Sequence, residues 1–133
     1  MTNTSVEREA LNKIASVILD AAIAVHREMG PGLLESVYQH CFVAELQTRA
    51  LRVDTMVPVR LHYKGEALNK EFVIDILVEN EIILELKAIE AILPVHEAQL
   101  ISYLKLADKR LGFLINFHAP LLKQGFKRFV NKF

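Results

Sequence analysis

Apolar residues recur at three- and four-residue intervals over 5–29, where Ile14, Val17, Ile18, Ala21 and Val25 line up; that period predicts a helix. Thr4 and Glu7 have the spacing of a capping box at its start, and Gly30-Pro31-Gly32 ends it. A second helix is expected over 33–50, where Leu34, Val37 and Cys41, with Tyr38, Phe42 and Leu46, give a wide apolar side. From Arg52 to Ile89 the period shortens to that of strands. The turn signals Lys64-Gly65 and Glu79-Asn80 divide this stretch into three antiparallel strands near 53–63, 68–78 and 81–89. The third is apolar on both sides, as in a strand covered from both faces.

Pro94 opens a further helix over 95–107, with Ala98, Leu100, Ile101 and Leu104 at helical spacing. Residues 110–117 then read as a fourth strand, which a crossover helix places parallel to an earlier one. Residues 126–130 fit either a strand or a helix. The expected class is α/β (α+β), in the order α-α-β-β-β-α-β, with a mixed sheet of four to five strands flanked by helices.

A chain of 133 residues holds one core, so residues 1–133 are expected to form a single domain. Hydrophobic residues make up 52% and charged residues 24%, which excludes a disordered or collagen-like chain. Cys41 stands alone, so neither an internal disulfide nor a cysteine metal cage can form, and a reducing compartment is indicated. No signal-like segment begins the chain and no apolar run reaches membrane-spanning length, so a cytoplasmic protein that does not enter a membrane is expected.

Against this apolar background three charges stand out. Asp75 lies in Phe72-Val73-Ile74-Asp75-Ile76-Leu77-Val78, and Glu85 and Lys87 lie in Ile82-Ile83-Leu84-Glu85-Leu86-Lys87. Burying unpaired charge costs several kcal/mol, so three such groups need a shared reason. The period of two places Glu85 and Lys87 on one side of their strand, and the short turn at Glu79-Asn80 brings Asp75 alongside. A structural ion pair accounts for Glu85 and Lys87 taken alone. With Asp75 added, a hard divalent cation such as Mg²⁺ or Mn²⁺, which takes one or two carboxylates and completes its shell with water and phosphate, accounts for the group better. Glu35 shares a helix side with Tyr38 and Phe42, unlike an ordinary surface glutamate. The five histidines have no paired ligand spacing, so zinc is not expected.

Asp75 followed by Glu85-Leu86-Lys87, between helices in this order, resembles the PD-(D/E)XK nuclease superfamily. Gly32-Leu33-Leu34-Glu35-Ser36-Val37-Tyr38 further matches the motif of the GxxExxY family within it, and Val25-His26-Arg27 and Pro94-Val95-His96-Glu97-Ala98-Gln99-Leu100 are similar to its surroundings. The resemblance implies a restriction-endonuclease-like core and a metal centre of Asp75, Glu85 and the Leu86 carbonyl. Lys87 would be the catalytic lysine and Glu35 an additional acidic ligand. Gln99 and Tyr103 resemble the Gln-x-x-x-Tyr element of exonuclease-like branches. Ile74 occupies the place of the superfamily proline, a departure that removes no ligand and no charge.

The resulting expectation is a Mg²⁺- or Mn²⁺-dependent phosphodiesterase acting on nucleic acid, DNA rather than RNA. Asp75, Glu85, Lys87, Glu35 and Gln99 carry the chemistry, and Tyr103, Tyr38 and His96 lie around it. The competing expectation is a non-hydrolytic nucleic-acid- or protein-binding module on the same scaffold. For Tyr38 the plainer reading is packing with its hydroxyl near solvent, and for His96 an exposed helix start. A homodimer is expected because one small domain offers little surface to grip a duplex.

Formal net charge is zero, yet residues 1–100 carry 15 acids against 9 bases and residues 101–133 carry 1 acid against 7 bases. The basic segment is either an ordinary solvated face or a phosphate-contacting rim.

Overall fold

The computed structural model describes the backbone over residues 3–133 and side chains from Glu7 onward. The side chain of Thr4, and with it the capping box expected with Glu7, lies outside the described residues. Two helices, α1 (Asn3–Met29) and α2 (Glu35–Thr48), precede strands β1 (Val53–Tyr63), β2 (Glu66–Val78) and β3 (Ile82–Lys87). Helix α3 (Pro94–Leu106) follows, then β4 (Leu111–Asn116), a 3-10 turn (Leu122–Gly125) and β5 (Phe126–Val130). The five strands form one mixed sheet in sequential order, antiparallel throughout except that β4 runs parallel to β3. The parallel step is the one reached through a crossover helix, as chain geometry requires.

Two apolar layers sandwich the sheet. On one face Ile76, Leu84, Leu86 and Ile115 pack with Ile18 and Ala22 of α1 and Phe42 and Leu46 of α2. On the other, Ile83 and Leu114 pack with Leu100 and Leu104 of α3. Both faces of β3 are therefore covered, which is why its sequence is apolar at odd and even positions alike. No described helix is long and apolar enough to cross a membrane.

Several boundaries differ from those expected. Helix α2 starts at Glu35 because the Leu33 N–H donates to the Tyr38 hydroxyl at 3.1 Å and Leu34 is extended as the N-cap. Strand β2 begins at Glu66 because Lys64 and Gly65 both take positive φ, 50° and 83°, giving a two-residue hairpin turn. Strand β3 stops at Lys87 rather than 89. There the Asn116 side chain takes over both backbone groups of Ile89, accepting its N–H at 3.1 Å and donating to its carbonyl at 2.9 Å.

Residues 126–130 are a strand, seated by the preceding 3-10 turn. Gly125 comes so close to β4 that an added Cβ would run into the Asn116 carbonyl oxygen and lie 3.0 Å from the Ala119 Cβ. Gly125→Ala is therefore expected to destabilise the fold by about 1–3 kcal/mol, the usual cost of overpacking. A lowered midpoint in denaturant unfolding checks this, and an unchanged midpoint refutes it.

Candidate functional site

The site lies where β2 and β3 part. Their backbone ladder runs from Val78↔Ile82 to Ile76↔Leu84 and then stops. Beyond it the two carboxylates continue the bonding: Glu85 Oε2 accepts the Asp75 N–H at 2.9 Å, and Asp75 Oδ2 accepts the Leu86 N–H at 3.0 Å. Each acid thus satisfies backbone on the opposite strand with one oxygen. The second oxygen of each, Asp75 Oδ1 and Glu85 Oε1, has no hydrogen-bond partner among the described residues, and no described buried side-chain oxygen is left unsatisfied. Neither free oxygen is therefore wholly shut off from solvent.

The electrostatics follow from burial and like charge. Glu85 is only 6% exposed. Burial first, and the neighbouring Asp75 charge second, raise its pKa to about 8, against the lowering effects of the Asp75 N–H and Lys87. Asp75 is half-buried and is also raised, chiefly by burial, while the Leu86 N–H and Lys87 act the other way. Two adjacent carboxylates in this setting call for a proton or a cation.

Glu35 opens α2 within the electrostatic reach of Asp75 and Lys87. The residue is exposed, but partial burial of its carboxyl and the Asp75 charge raise its pKa, and Lys87 lowers it. Lys87 is half-buried at the end of β3 and forms no ion pair within 4.0 Å among the described residues. From α3, Tyr103 stacks on Phe72 of β2, centroids 4.0 Å apart and planes within 6°. Burial and the charges of Glu85 and Asp75 raise its pKa, which places its hydroxyl within reach of their field. Gln99 is exposed one turn earlier on α3, on Tyr103's flank of the helix.

Asp75, Glu85, Lys87, Glu35 and Tyr103 are therefore electrostatic neighbours. Tyr38 and His96 have other work. Tyr38 is fully buried, stacks on Phe117 at 4.8 Å, and uses its hydroxyl on the 30–33 turn, donating to the Gly30 carbonyl and accepting from Leu33. A mixed helix face predicts that hydroxyl near solvent. It instead fixes the loop that launches Glu35. His96 accepts the Leu93 N–H on Nδ1 at 2.9 Å and so caps α3.

Sequence reasoning missed Asn116, one of two buried polar residues among those described. Paired with Lys87 in the β3–β4 register, it accepts the Ile89 and His118 N–H groups on one oxygen and so holds the loop leaving the site. Its signal was a lone amide ending an otherwise apolar strand. The basic C-terminal segment is largely occupied. Lys127 pairs with Glu97 at 2.9 Å, Arg110 with Glu7 at 3.2 Å, Arg128 with the Asn12 side chain, and Lys109 with the Asn80 carbonyl. That favours a solvated face over a phosphate rim.

The donor set suits a hard cation. Two free carboxylate oxygens on adjacent strands match an ion that takes one or two carboxylates and fills its shell with water and phosphate. Among the described residues no three acid, histidine or cysteine side chains come together as a group that could hold a metal ion, so Asp75 and Glu85 form a two-carboxylate pair with Glu35 outside it.

A family model described as the PD-(D/E)XK nuclease superfamily matches residues 12–129. The chain belongs to that superfamily. No curated protein and no solved structure matched it.

Proposed function

We infer that the chain is a divalent-metal-dependent phosphodiesterase acting on nucleic acid, of the GxxExxY kind within its superfamily. The observation that carries this reading is the paired carboxylates at the strand fork, each bonded to backbone through one oxygen and leaving the other without a protein partner among the described residues. Asp75 and Glu85, with the Leu86 carbonyl, would hold Mg²⁺ or Mn²⁺, and Glu35 would be an additional ligand, directly or through water. Bound there, such an ion supplies Lewis acidity and a more acidic water.

The chain's own groups do the rest. Lys87 places a positive charge beside the carboxylates, where a phosphodiester would gain negative charge, and so stabilises that charge or orients the attacking water. Tyr103 and Gln99 line the approach from α3 as substrate contacts. Tyr38 positions Glu35 through the 30–33 turn, and His96 holds the start of the Gln99 helix. DNA is the favoured substrate, and a pair of copies the favoured assembly.

One observation favours the competing reading of a non-hydrolytic module. Asp75 and Glu85 already serve the sheet by bonding its backbone where the ladder ends, so the fold alone would retain them. The two readings part on turnover. Purified protein with Mn²⁺ and a panel of single- and double-stranded DNA and RNA is expected to cleave at least one substrate, with loss of cleavage in Glu85→Ala. Calorimetric Mn²⁺ binding abolished by Asp75→Ala, with no cleavage of any substrate by the native chain, establishes the module instead.

A further inference from the structure

We propose that the outer half of the β1–β2 hairpin, residues 60–71, is an arm that enters the major groove of B-form DNA and holds the duplex against the carboxylate site. The proposal rests on the nucleic-acid reading above and adds the element that grips. Strand β3 pairs with β2 only as far as Ile76, so the hairpin continues beyond the sheet as an isolated two-stranded ribbon. Among residues 60–71 only Leu61 is not exposed. A lone hairpin with neither face packed is marginal in water. Its retention at this length needs a use.

The root of the arm is fixed to the site. Phe72, three residues before Asp75, stacks on Tyr103, which feels the charges of Asp75 and Glu85. Val57 and Val59 pack on the same apolar layer, so the arm leaves the sheet at a set angle beside the carboxylates. Its free part runs about 15 Å, at about 3.3 Å per residue. That exceeds the depth of a B-DNA major groove, about 8.5 Å, whose width of about 12 Å admits a two-stranded ribbon. A-form RNA has a deep and narrow major groove that side chains cannot read.

The surface chemistry suits phosphate and base edges. Arg60, Lys64 and Lys70 form no ion pair within 4.0 Å with any described acid, although Glu66 and Glu71 lie on the same ribbon. Lys64 rests over the Tyr63 ring at 5.4 Å, and His62 and Asn69 offer groups for base edges. The register shifts between Arg60 and His62, and such an irregularity increases the right-handed twist of a ribbon. The plain alternative is that these cations only protect open strand edges from pairing with other chains.

Two variants test the arm. The first replaces 60–71 with Asn-Gly, joining the paired residues Val59 and Phe72 through a two-residue turn. The second, Arg60→Ala/Lys64→Ala/Lys70→Ala, keeps the ribbon. Binding to a B-form DNA duplex is read by fluorescence anisotropy without divalent metal across a salt series, alongside Mn²⁺ calorimetry and light scattering.

The excised form is expected to lose at least tenfold in duplex affinity. The triple variant is expected to flatten the salt dependence by about 3 in log–log slope, about 0.9 per phosphate contact. Both should bind Mn²⁺ as the native chain does. Native affinity and slope in both variants overturn the proposal, as does equal binding of an RNA duplex. Excision that dissociates a dimer and leaves duplex binding intact also overturns it, assigning the arm to a second copy. Arm-dependent DNA binding without cleavage supports the arm and sinks the nuclease reading; cleavage unaffected by excision does the reverse.

Discussion

Replacing Lys87 with alanine is expected to lower the rate of phosphodiester cleavage by about two to three orders of magnitude, the usual loss when one preorganised charge-stabilising group is removed. The expectation comes from its setting. Lys87 is half-buried at the end of β3 and its charge acts on Asp75, Glu85 and Glu35 without an ion pair to any of them within 4.0 Å among the described residues. A lysine held only to neutralise a carboxylate would close that gap. Removing it takes away a cation that competes with a bound metal for the same acids, so Mn²⁺ affinity measured by calorimetry should not weaken. The fall should appear in kcat rather than in metal dependence. Lys87→Arg keeps the charge and is expected to recover part of the rate. Native turnover in Lys87→Ala would remove the lysine from the chemistry and leave it a tuner of carboxylate charge.

Legibility in the sequence followed the range of the forces involved. Helices and strands announced themselves through apolar periodicity, a property of neighbours, and the parallel β3–β4 step followed from the crossover helix between them. The members of the site were visible because Asp75, Glu85 and Lys87 break apolar runs. Hidden from the sequence was how the acids satisfy the fold: Glu85 Oε2 and Asp75 Oδ2 each take the place of one ladder acceptor across the fork, a contact between residues ten and eleven apart.

The same limit hid Asn116, whose amide replaces a strand partner for Ile89 across 27 residues and so ends β3 early. It also hid the arm. Two strand patterns separated by Lys64-Gly65 predict a hairpin, but only the point at which β3 turns away determines how much of it stands free. Tyr38 taught the opposite lesson. Its position in a motif suggested the site, while its hydroxyl is taken by the backbone of the 30–33 turn.

Without metal the protein is expected to lose stability as pH rises from about 4.5 to about 8, and to regain it at the upper end when Mn²⁺ is added. The sign follows from Glu85, whose pKa in the folded chain is raised to about 8 from an ordinary 4.5. The folded state holds this proton more tightly than the unfolded one. Its contribution is fully present below the unfolded value, declines through the interval and is gone above the folded value. Converted at 1.36 kcal/mol per unit, a shift of this size corresponds to about 4–5 kcal/mol, an upper figure because Asp75 titrates beside it. Raised Asp75 shifts the acid end of the loss in the same direction.

A bound dication requires the carboxylates ionised, so Mn²⁺ affinity should climb by up to tenfold per pH unit below about 8 and level off above. Thermal unfolding from pH 5 to 9, with and without Mn²⁺, reads both curves at once. Glu85→Gln keeps the side-chain shape and cannot ionise, so it should flatten the metal-free curve and abolish most of the Mn²⁺ response. A native metal-free curve that is flat from pH 5 to 8 contradicts the raised pKa of the buried Glu85 carboxyl on which the proposed metal centre rests.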